Sequence, residues 1–252
     1  MSAPAPFGPG PLFLVQEQGR RSGRDDMELV ARRLDSLGHG GRAEINISVP
    51  YATAAFSRLD SRRPGYPEAR ERLAQRGFEP IIRPVGGHLA IYGTGDLVIH
   101  LWGRHPSSRL HIRERFLLFG DALSRAFRTL GVDARIGPVP GEYCSGEYSV
   151  NDSGRAKLVG TGQRLTKDGY LLSAVVMVEP AEPVREALAD AYRSLCLDFR
   201  PETVGSVADS VPGVSAADVR RVIASELRAL LLPATATLAS VAFTSTPARL
   251  CS

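Results

Sequence analysis

The chain has 252 residues, 43% of them hydrophobic, and a formal net charge of +4, ordinary values for a globular protein that is long enough to bury a core of its own. No apolar run approaches the roughly 18 residues a membrane-spanning helix needs, so no membrane partner is expected. Arginines lie among carboxylates, and the densest basic clusters, Arg20–Arg24 and Arg58–Arg63, carry neither interleaved aromatics nor a helix-turn-helix or zinc pattern; no nucleic acid is expected, and the positive balance points to an acidic protein partner.

The first residues are rich in Pro, Gly and Arg and predict a flexible lead-in over 1–24. They place no basic segment ahead of their apolar residues, so a secretory signal is not read and the cytoplasm is the expected compartment. Met27, Val30, Leu34 and Leu37 recur at helical spacing over 25–37, with Gly38 as the stop. Ile45, Ile47 and Val49 alternate as in a half-buried strand over 44–49. Pro64-Gly65 turns the chain into a helix over 67–76. Strands are expected at 79–85, 89–92 and 97–102, the first two separated by Gly86-Gly87.

Phe116, Phe119, Leu123, Phe127 and Leu130 form the apolar stripe of the longest helix, 112–130, which Gly131 closes. Short strands follow near 148–151 and 156–164, then a strongly apolar strand over 170–178. Helices at 184–194 and 216–231 complete the series, the last opening on Ser215 and Asp218 in a capping-box-like spacing. Strands come in adjacent groups, so the expected class is α+β with a mixed or antiparallel sheet packed with helices. The organisation is a lead-in over 1–24, a catalytic domain over 25–232, and a weakly ordered tail over 233–252 rich in small and hydroxyl residues.

Cys144, Cys196 and Cys251 have no spacing that resembles a zinc cluster or a disulfide framework. Cys196 ends an amphipathic stretch and reads as a small core residue, and Cys251 as part of a frayed end. Cys144 lies among Gly141, Glu142, Gly146 and Glu147, a loop context that makes it the nucleophile candidate. Of 31 basic residues only Lys157 and Lys167 are lysines. A chain that otherwise uses arginine keeps lysine where a compact, titratable ammonium is needed; the bland alternative for Lys157 is a solvated strand position. Gly86 and Gly87 are read either as a turn or bulge between strands or as a place where backbone amides approach a ligand beside Arg83. Neither GxGxxG nor GxxxxGK[ST] occurs.

Four ordered stretches resemble the lipoate and biotin protein ligase superfamily, and within it the cysteine-dependent octanoyl amidotransferases. They are LDSRRPGY at 59–66, EPIIRPVGGHLAIYGTGDL at 79–97, the helix after Leu110, and YCSGEYSVNDSGRAKLVGTGQR at 143–164. The resemblance implies a biotin-lipoate ligase-like catalytic domain, related to class II aminoacyl-tRNA synthetases. It makes Cys144 the acyl-accepting nucleophile and Lys157 the group that holds the acyl carbonyl, with Arg83, Gly86, Gly87, His88, Gly160 and Gln163 lining the acyl pocket. A thiolate divides amide exchange into two easier steps through a thioester, and a neighbouring cation both lowers the thiol pKa and stabilises the oxyanion.

On this reading the chain moves an octanoyl or lipoyl group onto lipoyl-domain lysines, in the glycine cleavage H protein or the E2 subunit of 2-oxoacid dehydrogenases. No cofactor or metal is required. An ATP- and Mg-dependent lipoate ligase that forms a lipoyl-adenylate is the alternative, although the single Arg83, Pro84 and only two glycines before His88 depart from the Arg-Arg-x-Gly-Gly-Gly loop of those enzymes. A non-catalytic lipoyl-domain or acyl-binding protein is the third reading. A Cys144–His88 pair is open on sequence alone and is not relied upon.

Overall fold

A computed structural model describes residues 6–230. The segment expected as a flexible lead-in holds strand β1 (Leu12–Arg21), which pairs in parallel with β2 (Ala43–Pro50). Leu12 and Leu14 pack against the main core, and the surrounding Gly and Arg hide this half-buried edge strand from a reading by composition. Between the two strands runs helix α1 (Gly23–Gly38). The Ser22 side chain caps it by accepting from the Asp25 N–H at 3.1 Å, with Asp25 and Asp26 in the first turn.

The other elements are β3 (Thr53–Phe56), α2 (Tyr66–Gln75), β4 (Glu79–Ile82), β5 (Ala90–Tyr92), β6 (Leu97–Arg104), α3 (Ile112–Thr129), β7 (Ala134–Ile136), β8 (Val150–Asp152), β9 (Ala156–Leu165), β10 (Gly169–Val176), α4 (Glu182–Ser194), the short α5 (Val207–Ser210) and α6 (Ala216–Ala229). Seven strands form one sheet in the order β1-β2-β6-β10-β9-β8-β7, antiparallel except for the β1–β2 pair. A second, three-stranded sheet runs β4-β3-β5. The class is therefore α+β with mixed sheets, as the grouping of strands predicts.

One face of the large sheet is covered by α3 and α6. Phe119, Leu123 and Phe127 of α3 are fully buried there with Ile223 and Leu227 of α6, each worth about 1.5–3 kcal/mol of removed apolar area. On the opposite face, Val30 and Leu37 of α1 pack with Trp102, Val85 and Leu171. The small sheet closes a further core with α2 and α4, through Phe56, Leu73, Leu188 and Tyr192. The segments 83–89 and 137–149 meet in this region. The tail expected over 233–252, with Cys251, lies outside the described residues.

Candidate active site

Cys144 stands in the loop between β7 and β8 with φ of +43°, a left-handed conformation that a non-glycine residue holds only when its surroundings fix it. Four hydrogen bonds fix it. Its N–H donates to the Tyr192 hydroxyl of α4 at 2.9 Å, and that hydroxyl donates to the Leu89 carbonyl at 3.0 Å. The Lys157 ammonium donates to the carbonyls of Tyr143 at 3.0 Å and Cys144 at 2.9 Å.

The sulfur faces two donors: the His88 N–H at 3.2 Å and Arg83 Nη2 at 3.3 Å. Burial pushes the thiol pKa up, but the Arg83 charge, the Lys157 charge and the His88 N–H outweigh it and hold the thiol below its usual range. The His88 ring turns away, to the buried carboxylate of Asp60, with Nδ1 2.8 Å from Oδ1. His88 thus serves the sulfur through its backbone, not as a ring base paired with the thiol.

Gly87 has φ of +94°, and a Cβ there would stand 2.6 Å from Cys144 Sγ. The glycine is needed both for the turn and for the approach of the thiol. Gly86 differs: a Cβ on it would meet nothing within 4 Å.

Lys157 is 1% exposed, which overturns the solvated-strand alternative. Burial holds its pKa below the ordinary lysine range, and Glu142, with Oε1 3.5 Å away, opposes that shift. The Glu142 carboxylate also accepts from Ser149 Oγ at 2.8 Å and the Gly146 N–H at 2.9 Å, so it braces the whole loop. A bulge delivers the lysine. In the β8–β9 ladder, Asn151 pairs with Lys157 and Val150 with Val159, leaving Leu158 unmatched. The extra residue swings Lys157 to the side of Gly160, whose added Cβ would meet the Lys157 side chain at 3.4 Å.

A match to the family model described as "Lipoyl protein ligase A/B catalytic domain" covers residues 66–228, well over half the chain and all of these groups except Asp60. The chain belongs to the lipoyl protein ligase A/B catalytic domain family. Among curated relatives, octanoyl-[GcvH]:protein N-octanoyltransferase of Lysinibacillus sphaericus is 25% identical over 165 residues, 66% of this chain and 59% of that protein. The chain thus spans about three-fifths of that relative's length.

Solved structures share the fold. Lipoate-protein ligase A bound with ATP superposes with a TM-score of 0.63 at 18% identity, covering 88% of this chain and 85% of that one. The bi-partite lipoate protein ligase of Thermoplasma acidophilum, described with its E2 lipoyl domain, gives 0.61 at 19% identity, covering 88% and 83%.

Of the residues that resemblance to the lipoyl ligase family singles out, Arg83, Gly87, His88, Cys144, Lys157 and Gly160 converge, and Gly86 stands beside them. Gln163 does not join them. Its strand position pairs with Leu172 on the face that carries α3, its Oε1 accepts from Arg115 Nε at 2.8 Å, and its Nε2 donates to the Ile112 carbonyl at 3.3 Å. Gly160 and Gly162 face the other way, and a Cβ on Gly162 would meet Val85 at 3.1 Å. Strand alternation separates 160 from 163 and was available as a signal.

Cys196 is exposed with φ of +52°, just past the end of α4, and is not the core residue expected. Glu142, Asp60 and Tyr192 belong to the site without having been singled out. Glu142 had a signal in its place two residues before Cys144; Tyr192, 48 residues away, had none.

Proposed function

We propose that the chain is an acyltransferase that moves an octanoyl or lipoyl group onto the lysine of a lipoyl-domain protein by way of a Cys144 thioester. The observation that carries the reading is the sulfur itself, held between the His88 N–H at 3.2 Å and the Arg83 guanidinium at 3.3 Å on a loop whose carbonyls Lys157 grips. The curated relatives' names, octanoyl-[GcvH]:protein N-octanoyltransferase, support a protein-bound octanoyl group as donor and a protein as acceptor.

The Cys144 thiolate attacks the carbonyl carbon of an acyl-lysine amide on the donor protein. A C–S bond forms, and the C–N bond breaks as the departing lysine nitrogen takes up a proton. In the second step the amine of an acceptor lysine attacks the thioester, loses a proton, and returns the sulfur as thiolate. Arg83 and the His88 N–H, which donate to the sulfur, are the donors assigned to the oxyanion of each tetrahedral intermediate formed on it. Lys157 acts behind the sulfur: gripping the Cys144 carbonyl fixes the left-handed backbone, and its charge favours the thiolate. The resemblance casts Lys157 as holder of the acyl carbonyl, and the same ammonium serves both roles if the Tyr143 contact exchanges for the substrate's.

The test is transfer from an octanoylated donor protein to an unmodified lipoyl domain, without ATP or magnesium. The expected result is transfer by the native protein and loss of more than about tenfold, a barrier rise above ~1.4 kcal/mol, in Cys144→Ser, with Cys196→Ser unaffected. Strict dependence on ATP would favour the adenylate-forming ligase, and binding without turnover the non-catalytic reading.

A further inference from the structure

Behind Arg83 lies a narrow cavity of about 30 Å³, room for little more than a water molecule. Met27, Val30 and Leu171 supply apolar wall. Its polar wall is a relay that the transfer mechanism does not use. His100 Nε2 is 2.9 Å from Asp26 Oδ2, and His100 Nδ1 is 2.8 Å from Ser173 Oγ. Asp26 and His100 are 5% and 4% exposed, and Arg21 balances the carboxylate at 2.7 Å.

The cavity and the sulfur share Arg83, which lines the one and donates to the other. They also lie over neighbouring strands, since β10 lines the cavity and β9 pairs with it. Along β9, Gly160 stands beside Lys157, and Gly162, two residues or about 7 Å further on, pairs with Ser173. A medium-chain acyl group with its carbonyl at Cys144 that ran along these strands would bring its far end to Ser173 once Val85, packed over Gly162, gave way. Met27, Val30, Arg83 and Pro84 also wall a wider cleft of about 870 Å³.

A hydroxyl in that place has consequences. When His100 Nδ1 accepts from Ser173, the serine oxygen keeps acceptor capacity; when Nδ1 donates, the serine hydrogen is free. In either state one hydrogen-bonding valence faces the cavity. A methyl terminus would cover it without satisfying it, whereas a terminus with a polar atom would fill it.

Resting on the acyl-transfer reading above, we propose that Asp26, His100 and Ser173 form the far wall of the acyl pocket and select a medium-chain acyl group with a hydrogen-bonding atom at its distal end. The plain octanoyl chain is then the poorer occupant. A lipoyl chain, whose ring sulfurs are weak acceptors, is better, and an ω-hydroxyacyl chain is best.

Calorimetric titration of the full chain with octanoic, 8-hydroxyoctanoic and lipoic acids tests this, with acylation of Cys144 by an octanoylated donor protein measured separately on the same preparations. The native protein should bind 8-hydroxyoctanoic acid roughly tenfold more tightly than octanoic acid, the factor expected of one hydrogen bond, with lipoic acid between them. Ser173→Ala should bring the three within about twofold. If alanine fails to fold, Ser173→Val removes the hydroxyl without opening a cavity and gives the same ratio. Equal or tighter binding of octanoic acid by the native protein, no binding of any of the acids, or a preference that survives loss of the hydroxyl would overturn the proposal. A network that only pins α1 to the sheet would lower the melting temperature of Ser173→Ala and leave the ratio unmoved. Selective binding without any acyl-Cys144 would instead sink the transfer reading and spare the pocket.

Discussion

At the scale of single residues, the site holds the thiol of a loop cysteine below its ordinary pKa. Arg83 and Lys157 supply charge, the His88 amide supplies a hydrogen bond, and together they exceed the cost of burial. Alkylation of Cys144 by iodoacetamide should therefore follow a pH profile centred below that of an ordinary thiol, because only the thiolate reacts. Arg83→Ala and Lys157→Met should each move the profile to higher pH, and Lys157→Met should also cost about 3 kcal/mol in chemical denaturation by leaving Glu142 buried beside an apolar chain. Profiles that coincide with the native one would mean that neither cation reaches the sulfur. Lys157→Arg should resemble the methionine variant in transfer, since a guanidinium cannot place one donor on two adjacent carbonyls in a space sized for an ammonium.

At the scale of elements, four distant segments meet at the sulfur: the 83–88 loop, the 142–149 loop, the start of β9 and the face of α4 that carries Tyr192. The geometry at Gly87 leaves no latitude. A side chain there meets Sγ at 2.6 Å on a backbone with φ of +94°, so Gly87→Ala should already abolish acylation and Gly87→Val should do so with loss of stability. Gly86→Ala is the internal control, because its added methyl meets nothing within 4 Å and its transfer rate should remain near native. A Gly87→Ala variant that forms the thioester at the native rate would contradict the assigned position of the sulfur.

Much of this scale was legible in the chain. The 3.6-residue stripe of α3, the alternation in β2 and the Ser215 cap each have one physical reading. What stayed hidden had causes of its own. β3 and β7 are too short to display a period, and β1 is masked by glycine and arginine. The bulge at Leu158 changes which side chains share a face of β9, and the Tyr192 contact joins residues 48 apart. Gln163 was grouped with the site by resemblance against the alternation of its own strand.

At the scale of the whole molecule, the wide cleft beside the site carries Arg58, Arg83, Arg164 and Lys167 against only Asp35 and Asp168. An acidic partner domain approaching this side is drawn in by a field that salt screens over about 8–10 Å. Association measured by rapid mixing should slow markedly between low ionic strength and ~0.5 M salt, while single-turnover transfer after docking should not. An association rate indifferent to salt would leave shape and the acyl chain as the determinants of partner choice.

The central claim is covalent: the acyl group rests on Cys144 between two proteins. Intact-protein mass spectrometry after mixing with an octanoylated donor protein, without ATP and with no acceptor present, tests it most directly. The account predicts a single added octanoyl mass, mapped by peptide digestion to Cys144, labile to hydroxylamine and discharged when an unmodified lipoyl domain is added. Transfer that proceeds at the native rate with no adduct on Cys144, or an adduct that appears only with ATP, would contradict it.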